Sequence, residues 1–425
     1  GGEFTAVVFR ENEILSLERG DTTSANWGAA VDIGTSTVVV ELLDLNTGRP
    51  IGRAAAANSQ IPYGSDIVSR ITHAFRNPAG LSELSGAIRG LLNRMIRGLA
   101  ADSGISPEEI YEIVAAGNTA MSHFLLGIPV DTLAVSPFHG AFSSACPFRA
   151  KDIGLDLNPQ ARVYIAPNIK SFVGGDISAG LTALDLHKTD GSFLFIDLGT
   201  NGEIVLKKGR QCVATSTAAG PAFEGMNLSC GSLALPGAVH AASWDGGFVL
   251  RTIGDEPARG ICGTGLVDIL ALCVRHRLVD SDGKIAGAEK NLRLSESLAL
   301  SQQDIREMQL AIAAVKTGVG NMLKRFGVAI HDLQRIYVAG AFGNSLNIAN
   351  GVAIGLLPDA PQDRIVFVGN ASLAGARKLL LSGPERKTIE AFVRKVKHVS
   401  LAMDPAFQEQ FVEALALKPY SGGTL

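Results

Sequence analysis

Two short segments of similar pattern, 165 residues apart, constrain the fold more than any other feature of the sequence. In each segment an apolar strand ends in aspartate and is followed by a glycine, hydroxyl residues and a second apolar strand. The first reads VDIGTSTVVVELL from residue 31, and the second reads FIDLGTNGEIVL from residue 195. A repeated strand–turn–strand unit predicts two lobes that are built on one plan.

The length and the periodicity of the chain agree with this plan. A single hydrophobic core stops growing near ~250–300 residues, so a chain of 425 residues is expected to form two lobes or domains. Apolar strands alternate with helical segments, which are predicted near 65–76, 81–103, 176–187 and 302–326. The predicted fold class is therefore α/β, with a short hairpin at 5–18 before it and a short amphipathic helix near the C-terminus.

The composition excludes several classes of function. A net charge of -3 and the lack of a basic stretch argue against binding to nucleic acid or to an anionic membrane surface. The longest apolar runs are shorter than the ~18–20 residues of a membrane span, and we expect a cytoplasmic protein. The five cysteines show no metal-ligand spacing, since the closest two are Cys262 and Cys273. We interpret them as buried apolar side chains, and His123 as a satisfied, partly buried histidine.

The turn after Asp32 places backbone N–H groups and hydroxyls around one carboxylate. Its residues are Gly34, Thr35, Ser36 and Thr37. N–H groups and hydroxyls suit phosphate oxygens, and a carboxylate suits the water shell of Mg²⁺. The second segment repeats this arrangement at Asp197 with Gly199, Thr200, Asn201 and Gly202. Either segment alone could be a hairpin whose Asp and Gly only supply turn geometry, but two copies in matched contexts favour a phosphate site.

Two further glycine-containing turns are weaker candidates for contacts with a nucleotide. The turn Gly340, Ala341, Phe342 and Gly343 follows an apolar strand, and its glycines would let the backbone approach a purine or ribose. The alternative is an ordinary strand-to-helix turn. Gly263, Thr264 and Gly265 open a helix, whose free N–H groups would suit a phosphate or a ribose hydroxyl. Neither a P-loop nor a Rossmann glycine motif is present in the sequence.

These motifs resemble those of the actin-like ATPase superfamily, which includes sugar kinases and heat-shock chaperones. VDIGTST resembles its first phosphate motif, FIDLGTNGE its second and VAGAFGN, at 338–344, its adenosine motif. The resemblance implies a two-lobed, ribonuclease H-like fold with an interlobe nucleotide cleft, and ATP with Mg²⁺ held through water by Asp32 and Asp197. It also implies that Asp176 orients the attacking water, unless this residue is only a helix N-cap, and that the loop with Glu224 encloses phosphates.

Longer stretches resemble the ATPase domain of the reductive activators of corrinoid proteins. Among them are AGNTAMSHFLLGIP (116–129), APNIKSFVGGDISAG (166–180), AAGPAFEGMN (218–227), GICGTGLVDI (260–269) and VGNASLAGA (368–376). This resemblance implies ATP-dependent reduction of Co(II) corrinoid to Co(I) on a corrinoid-containing methyltransferase protein, and a homodimer. It also implies an N-terminal domain with a 2Fe–2S cluster. The chain begins at Gly1 without that domain, so we expect that a preceding segment has been removed.

We divide the chain into four parts on this basis. Residues 1–25 are expected to be a remnant of a preceding middle domain and a linker, and 26–188 to be the first ATPase lobe. Residues 189–400 are expected to form the second lobe, with an interlobe helix near 369–381, and 401–425 a C-terminal helix and tail.

Two other functions stay open for a chain with these motifs. A small-molecule kinase of the same fold could use Asp176 as the base toward a hydroxyl acceptor. A nucleotide-gated binding or assembly protein with negligible turnover is the other alternative.

Overall fold

The computed structural model describes residues 2–10, 12–144, 147–288, 290–340, 346–401, 404 and 406–420. The strands up to residue 189 are β1 (Phe4–Phe9), β2 (Glu13–Arg19), β3 (Trp27–Ile33), β4 (Thr37–Asp44), β5 (Arg49–Ala57), β6 (Ile110–Gly117), β7 (Pro147–Arg149) and β8 (Arg162–Ile165). The helices of this part are α1 (Ile67–Arg76), α2 (Gly80–Asp102), α3 (Thr119–Leu126), α4 (Asp131–Ala134) and α5 (Gly175–Ala183).

The same alternation continues after residue 189. The strands are β9 (Ser192–Leu198), β10 (Gly202–Lys208), β11 (Gln211–Thr217), β12 (Ala238–Trp244), β13 (Phe248–Thr252), β14 (Gly260–Ile261), β15 (Asn291–Arg293), β16 (Ala299–Ser301), β17 (Arg335–Gly340), β18 (Ile365–Gly369) and β19 (Lys397–His398). The helices are α6 (Gly263–Arg275), α7 (Gln302–Phe326), α8 (Ile348–Ala353), α9 (Ala371–Leu381), α10 (Gly383–Val393) and α11 (Phe407–Ala414).

The chain folds into two compact units. The first contains Gly1–Thr189 and Ala371–Val396, and the second contains Asp190–Asn370 and Lys397–Leu425. The sequence-based division placed residues 371–396 in the range of the second lobe, with an interlobe helix near 369–381. Their contacts group them with the first unit, because α9 packs against α5, β3 and β6. The ends of the four sequence-based ranges stay a prediction.

The first unit is built on a sheet whose described strands follow the order β5-β4-β3-β6-β8-β7. β3, which carries Asp32, is antiparallel to β4 and parallel to β6. Four successive residues of β3, from Gly28 to Val31, are buried, as expected for a central strand that is covered on both faces. The apolar sides of α1, α2 and α3 cover one face of this sheet and form one hydrophobic core with it.

The second unit has a sheet with the order β18-β17-β9-β10-β11-β19 among the described strands. β9 carries Asp197, is antiparallel to β10 and is parallel to β17. The run β11-β10-β9-β17-β18 therefore has the same order and directions as β5-β4-β3-β6-β8. The strands β3 and β9 also share one burial pattern, with the aspartate as the sixth residue of each. The structure thus extends the repeat seen in the sequence from a hairpin to a five-stranded sheet.

The long helix α7 lies in the core of the second unit. Ser301 caps its N-terminus and forms a reciprocal capping box with Asp304, and Gly327 ends it with a φ of 57°. The helix contacts β10, β11 and the 3₁₀ turn Pro221–Glu224, so it supports the elements that carry the second aspartate segment.

The predicted hairpin at 5–18 is present as β1 and β2, which pair antiparallel. Leu15 is buried on one side of this hairpin, whereas Phe4, Val8, Ile14 and Leu17 are exposed. The predicted helix near the C-terminus is present as α11. Among the described residues, none of the helices combines the length and the apolar character that crossing a membrane requires.

Candidate functional site

Asp32 stands near the end of β3, and a tight turn follows it. The N–H of Gly34 donates to the carbonyl of Thr37 at 3.1 Å. A Cβ atom on Gly34 would lie 2.5 Å from that oxygen, so only glycine allows this close approach. The turn predicted from the sequence is therefore a backbone arrangement that the glycine makes possible.

Asn58 stabilises this turn with two hydrogen bonds. Its backbone N–H donates to Ser36 O and its side-chain amide donates to Gly34 O, both at 2.8 Å. The side chains of Thr35 and Ser36 are buried, whereas Thr37 is exposed. Of the three predicted hydroxyls, that of Thr37 is thus the most accessible to a ligand.

The carboxylate of Asp32 is held by a residue far away in the sequence. Ser372, the second residue of α9, donates its hydroxyl to Asp32 Oδ1 at 2.7 Å. Ser372 is buried and belongs to the same unit as Asp32. Ser372 was not among the predicted site residues, although it lies in the stretch VGNASLAGA that resembles the reductive activators.

Asn118 is a second residue of this site that was not predicted from the sequence. Its Oδ1 accepts from the N–H of Met121 and caps α3, while its Nδ2 donates to Thr35 Oγ1 at 3.4 Å. A Cβ atom on Gly174 would lie 2.4 Å from the backbone of Asn118, so the start of α5 is in direct contact with the residue that follows β6. The ends of β3 and β6 and the start of α5 therefore meet at Asn118, which the stretch AGNTAMSHFLLGIP could have indicated.

Asp176 lies at the start of α5 but does not occupy the N-cap position. Gly174 is the N-cap of this helix, and Asp176 is the second residue after it. The Oδ1 atom of Asp176 accepts from the N–H of Ile177 at 2.7 Å. Asp176 is therefore not the N-cap residue of α5. Its role toward a water stays a prediction.

The second aspartate segment has a turn of the same kind. The N–H of Gly199 donates to Asn201 O at 3.1 Å. Thr217 Oγ1 donates to Gly202 O at 3.1 Å, and a Cβ atom on Gly202 would lie 2.8 Å from that hydroxyl. Both aspartate turns therefore depend on glycines that approach neighbouring polar atoms closely.

Glu224 contacts this turn from the 3₁₀ segment Pro221–Glu224. Thr200 Oγ1 donates to Glu224 Oε1 at 3.0 Å. The other carboxylate oxygen, Oε2, is buried and has no hydrogen-bond partner among the described residues. A buried carboxylate oxygen without a partner is costly, and it indicates a place where a ligand, a metal-bound water or another donor would be stabilising.

Gly340 ends β17 beside Asp197. Its φ is +101°, and a Cβ atom would lie 2.3 Å from Leu198 O and 2.7 Å from Asp197 Oδ1. The structure thus brings the first residue of the predicted adenosine turn against the second aspartate. The other three residues of that turn, Ala341, Phe342 and Gly343, lie outside the described part of the chain.

The start of α6 is engaged in packing. Thr264 Oγ1 donates to His240 O at 2.7 Å, and a Cβ atom on Gly265 would lie 2.3 Å from Val239 O. Gly263 begins the helix after the N-cap Cys262. These contacts give the Gly-Thr-Gly sequence a packing role against β12, and its contact with a nucleotide stays a prediction. The helix also contacts the segment that carries Glu224.

The histidine that the sequence singled out, His123, has a partner for each of its ring nitrogens. His123 is buried, its Nδ1 pairs with Thr119 O at 2.6 Å, and its Nε2 accepts from the N–H of Ala141 at 2.9 Å. Burial lowers the pKa of His123, which keeps the ring neutral. The interpretation of this residue as a satisfied histidine is confirmed.

The described cysteines do not suit an iron–sulfur cluster. Cys212, Cys230, Cys262 and Cys273 are buried free thiols. Burial raises the pKa of Cys212, Cys230 and Cys273 to about 12, so these side chains stay protonated, whereas cluster ligands are thiolates.

Among the described residues, the side chains of Asp185, His187 and Glu385 lie close enough together to hold a metal ion. Two lysines already neutralise the carboxylates of this group, because Lys188 pairs with Glu385 and Lys378 pairs with Asp185 at 2.7 Å. His187 Nε2 lies 3.0 Å from Glu385 Oε2. We therefore describe this group as an ion-pair network that joins the end of α5 to α9 and α10.

Taken within its own unit, each aspartate segment carries groups that suit phosphate oxygens and a magnesium ion. Each turn contains a glycine whose backbone approaches a neighbouring polar atom closely. Each also carries a half-buried aspartate near the end of a central strand. The orphaned Oε2 atom of Glu224 is the observation that most directly calls for a polar ligand in the second unit. Hard oxygen donors of this kind are those that Mg²⁺ prefers.

Two sheets of one strand order, each with an aspartate–glycine hairpin on its central strand, define the actin-like, or ASKHA, class of proteins. Comparison with known families confirms this class. A family model described as the C-terminal domain of RACo, the ASKHA domain, matches residues 191–422, and one described as the RACo middle region matches residues 27–189. The chain belongs to the RACo family of reductive activators, as its sequence stretches predicted.

Individual relatives support this assignment along nearly the whole chain. The corrinoid activation enzyme RamQ of Eubacterium limosum is 32% identical over 441 residues, which cover 97% of this chain and 74% of RamQ. A Co(II) methylated amine-specific corrinoid protein reductase of Methanosarcina barkeri is 24% identical over 421 residues, or 91% of this chain and 76% of the reductase. The solved structure of a reductive activator for corrinoid, iron-sulfur protein superposes with a TM-score of 0.89 at 35% identity, covering 96% and 68% of the two chains.

Proposed function

We propose that this chain binds and hydrolyses ATP with Mg²⁺, and that it thereby drives the reduction of a Co(II) corrinoid to Co(I) on a corrinoid-containing methyltransferase protein. The observation that carries the proposal is the 32% identity with a corrinoid activation enzyme along 97% of this chain. The repeated aspartate turns, which are preserved in both sheets, support the nucleotide part of it.

The backbone and hydroxyls of the two turns would bind phosphate oxygens. In the first unit these residues are Gly34, Thr35, Ser36 and Thr37, and in the second unit Gly199, Thr200, Asn201 and Gly202. Asp32 and Asp197 would hold the water shell of Mg²⁺, which supplies positive charge to the phosphates when it is bound. Most of the catalytic effect would then come from positioning and charge neutralisation.

Three further groups have proposed roles at the nucleotide. Glu224 would accept from a metal-bound water through its buried Oε2, while Thr200 holds its Oε1. Asp176 would orient the attacking water for hydrolysis. The adenosine and ribose contacts would come from Gly340 and the three residues after it, with Gly263, Thr264 and Gly265 as a second candidate.

The redox step is a one-electron reduction in which Co(II) accepts one electron and becomes Co(I). The cysteines of the described residues are buried thiols and do not suit the ligands of an iron–sulfur cluster. We propose a 2Fe–2S cluster that passes from its reduced to its oxidised state as it gives up one electron to the corrinoid.

We also propose that the activator works as a homodimer, which sedimentation velocity would test.

Calorimetric titration of ATP and of ADP with Mg²⁺ into the protein tests the nucleotide site. We expect binding to the wild type and a loss of at least ~10-fold in affinity for Asp197→Ala, because a charge-assisted interaction is removed. Asp245→Ala, in an exposed turn of the same unit, is the matched control and should bind normally. Equal affinities of Asp197→Ala and wild type would refute the assigned site.

The redox proposal is tested with the intact activator and its corrinoid protein. The visible spectrum of the corrinoid should change from Co(II) to Co(I) only when a reductant, ATP and Mg²⁺ are all present. A conversion that proceeds equally well without ATP would contradict the proposed coupling.

A further inference from the structure

The hydrogen bond from Ser372 to Asp32 joins two residues that the chain separates by 340 positions. Ser372 donates through Oγ to Asp32 Oδ1 at 2.7 Å, a short distance that is typical of a hydroxyl bound to a carboxylate. We propose that Ser372 is a positioning residue, which orients the carboxylate of Asp32 for the metal-bound water of the nucleotide. This inference rests on the proposed function.

The place of Ser372 is fixed by the packing of its helix. α9 contacts α5, β3 and β6, and the two helices approach so closely that a Cβ atom on Gly375 would lie 1.8 Å from Ala179 O. Ala371, Leu373 and Ala376 are buried on the same helix. The close contact of Gly375 with Ala179 fixes the position of α9 along α5. The packing of the helix therefore holds the hydroxyl of Ser372 next to Asp32.

The hydrogen bond restricts the rotation of the carboxylate about its Cβ–Cγ bond. A carboxylate that is already oriented loses less conformational freedom when Mg²⁺ and the nucleotide bind. Its fixed orientation therefore contributes to the affinity of the protein for them. The effect should appear in the Mg²⁺ dependence of nucleotide binding, since the proposed role of Asp32 is toward the metal.

The position of Ser372 in the chain also distinguishes it from a local capping residue. The chain passes from the second unit to the first between Asn370 and Ala371, and Ser372 is the second residue after this crossing. Its partner is a strand residue of the sheet, and not a backbone N–H of its own helix. A helix-capping role would instead require a bond to the first turn of α9.

A double-mutant cycle with Ser372→Ala and Asp32→Asn tests the inference. The measured quantity is the affinity for ATP by calorimetry, at saturating Mg²⁺ and in the presence of a chelator. Ser372→Ala should weaken binding with Mg²⁺ by up to roughly 10-fold, because the freed carboxylate must then be immobilised when the metal binds, and should leave binding without Mg²⁺ unchanged. In the Asp32→Asn background the same substitution should have no further effect.

Ser382→Ala is the matched control. Ser382 caps α10 by accepting from the N–H of Glu385 at 3.3 Å, and it lies in the same unit. This variant should also lower the thermal stability, since a capping hydrogen bond is lost, but it should retain the wild-type affinity for Mg²⁺ and ATP.

The outcomes separate this inference from the function on which it rests. If the wild type does not bind ATP with Mg²⁺, the proposed function is overturned and the role of Ser372 with it. If the wild type binds and Ser372→Ala binds equally well, only the role of Ser372 is overturned. The same holds if the effects of the two substitutions simply add, because a purely structural serine would act independently of Asp32.

Discussion

Thr200 donates a hydrogen bond to one oxygen of Glu224, while the other oxygen of the same carboxylate is buried without a partner among the described residues. The hydrogen bond fixes the carboxylate beside the turn that follows Asp197. A carboxylate held in this way lowers the unfolding free energy of the protein without nucleotide. It also favours the binding of a ligand that supplies a hydrogen-bond donor.

Glu224→Gln separates these two effects. The amide oxygen of Gln can still accept from Thr200, while the negative charge is removed. We expect the affinity for ATP with Mg²⁺ to fall by roughly 10-fold, and the unfolding free energy of the protein without nucleotide to rise by about 1 kcal/mol. Calorimetry and urea unfolding measure the two quantities. An unchanged affinity would show that Oε2 does not face the ligand.

Gly340→Ala should damage both the fold and the site. The residue has a φ of +101°, and the new Cβ would lie 2.7 Å from Asp197 Oδ1. We expect a loss of more than ~2 kcal/mol in unfolding free energy, since backbone strain and a steric clash add, together with weaker binding of ATP.

Gly246→Ala is the control for this prediction. Gly246 also has a positive φ, +67°, but a Cβ atom there would meet nothing within 4 Å. It therefore measures the backbone strain alone, which we expect to cost ~1–2 kcal/mol without any change in ATP affinity. Equal destabilisation by the two substitutions would contradict the close approach of Gly340 to Asp197.

The parts of the site that could be predicted from the sequence are local. Asp32 and Asp197 each stand in a strand that ends in an Asp-x-Gly turn, so a few consecutive residues define both the structure and the chemistry. The repeat of this pattern predicted two similar units, and the matched strand orders of the two sheets agree with it.

The parts that could not be predicted depend on contacts between distant residues. Ser372 approaches Asp32 because α9 packs on α5, and no local pattern around Ser372 shows this. Asn118 lies in the stretch AGNTAMSHFLLGIP, which resembles the reductive activators, but its link to Thr35 follows from the parallel pairing of β3 with β6. A resemblance to a family indicates which residues matter without indicating what they touch.

The stability of the protein should fall as the pH drops below about 6.5, through His123. Burial lowers the pKa of this histidine in the folded state, so the unfolded chain takes up a proton first. The contribution is present above the pKa of the unfolded chain and is lost as the pH falls toward the lower folded pKa, at up to ~1.4 kcal/mol per pH unit.

His123→Gln tests this contribution by urea unfolding between about pH 5 and pH 8. The variant should lack the part of the pH dependence that His123 supplies, while an amide can still accept from the N–H of Ala141. His331→Gln replaces an exposed histidine and serves as the control. A pH profile of His123→Gln that is identical to that of the wild type would contradict the prediction.

The opposite end of the pH range should report on Lys316, which anchors the C-terminal segment of the second unit. This lysine of α7 is buried, donates to Ala416 O at 3.1 Å and to Lys418 O at 3.2 Å, and lies 5.6 Å from the ring centre of Tyr420. Burial, and to a lesser extent the charge of Lys418, lowers the pKa of Lys316 to about 8 from the ordinary value of 10.5.

Between these two values the unfolded chain binds more protons than the folded protein, so stability should rise with pH across this window. We expect the difference in unfolding free energy between the wild type and Lys316→Met to grow in favour of the wild type from about pH 8 to pH 10, by at most ~1.4 kcal/mol per pH unit. Lys324→Met, an exposed position of the same helix, should show a constant difference. A difference for Lys316→Met that does not change with pH would mean that this lysine keeps its proton across the whole window when it is buried under the C-terminal segment.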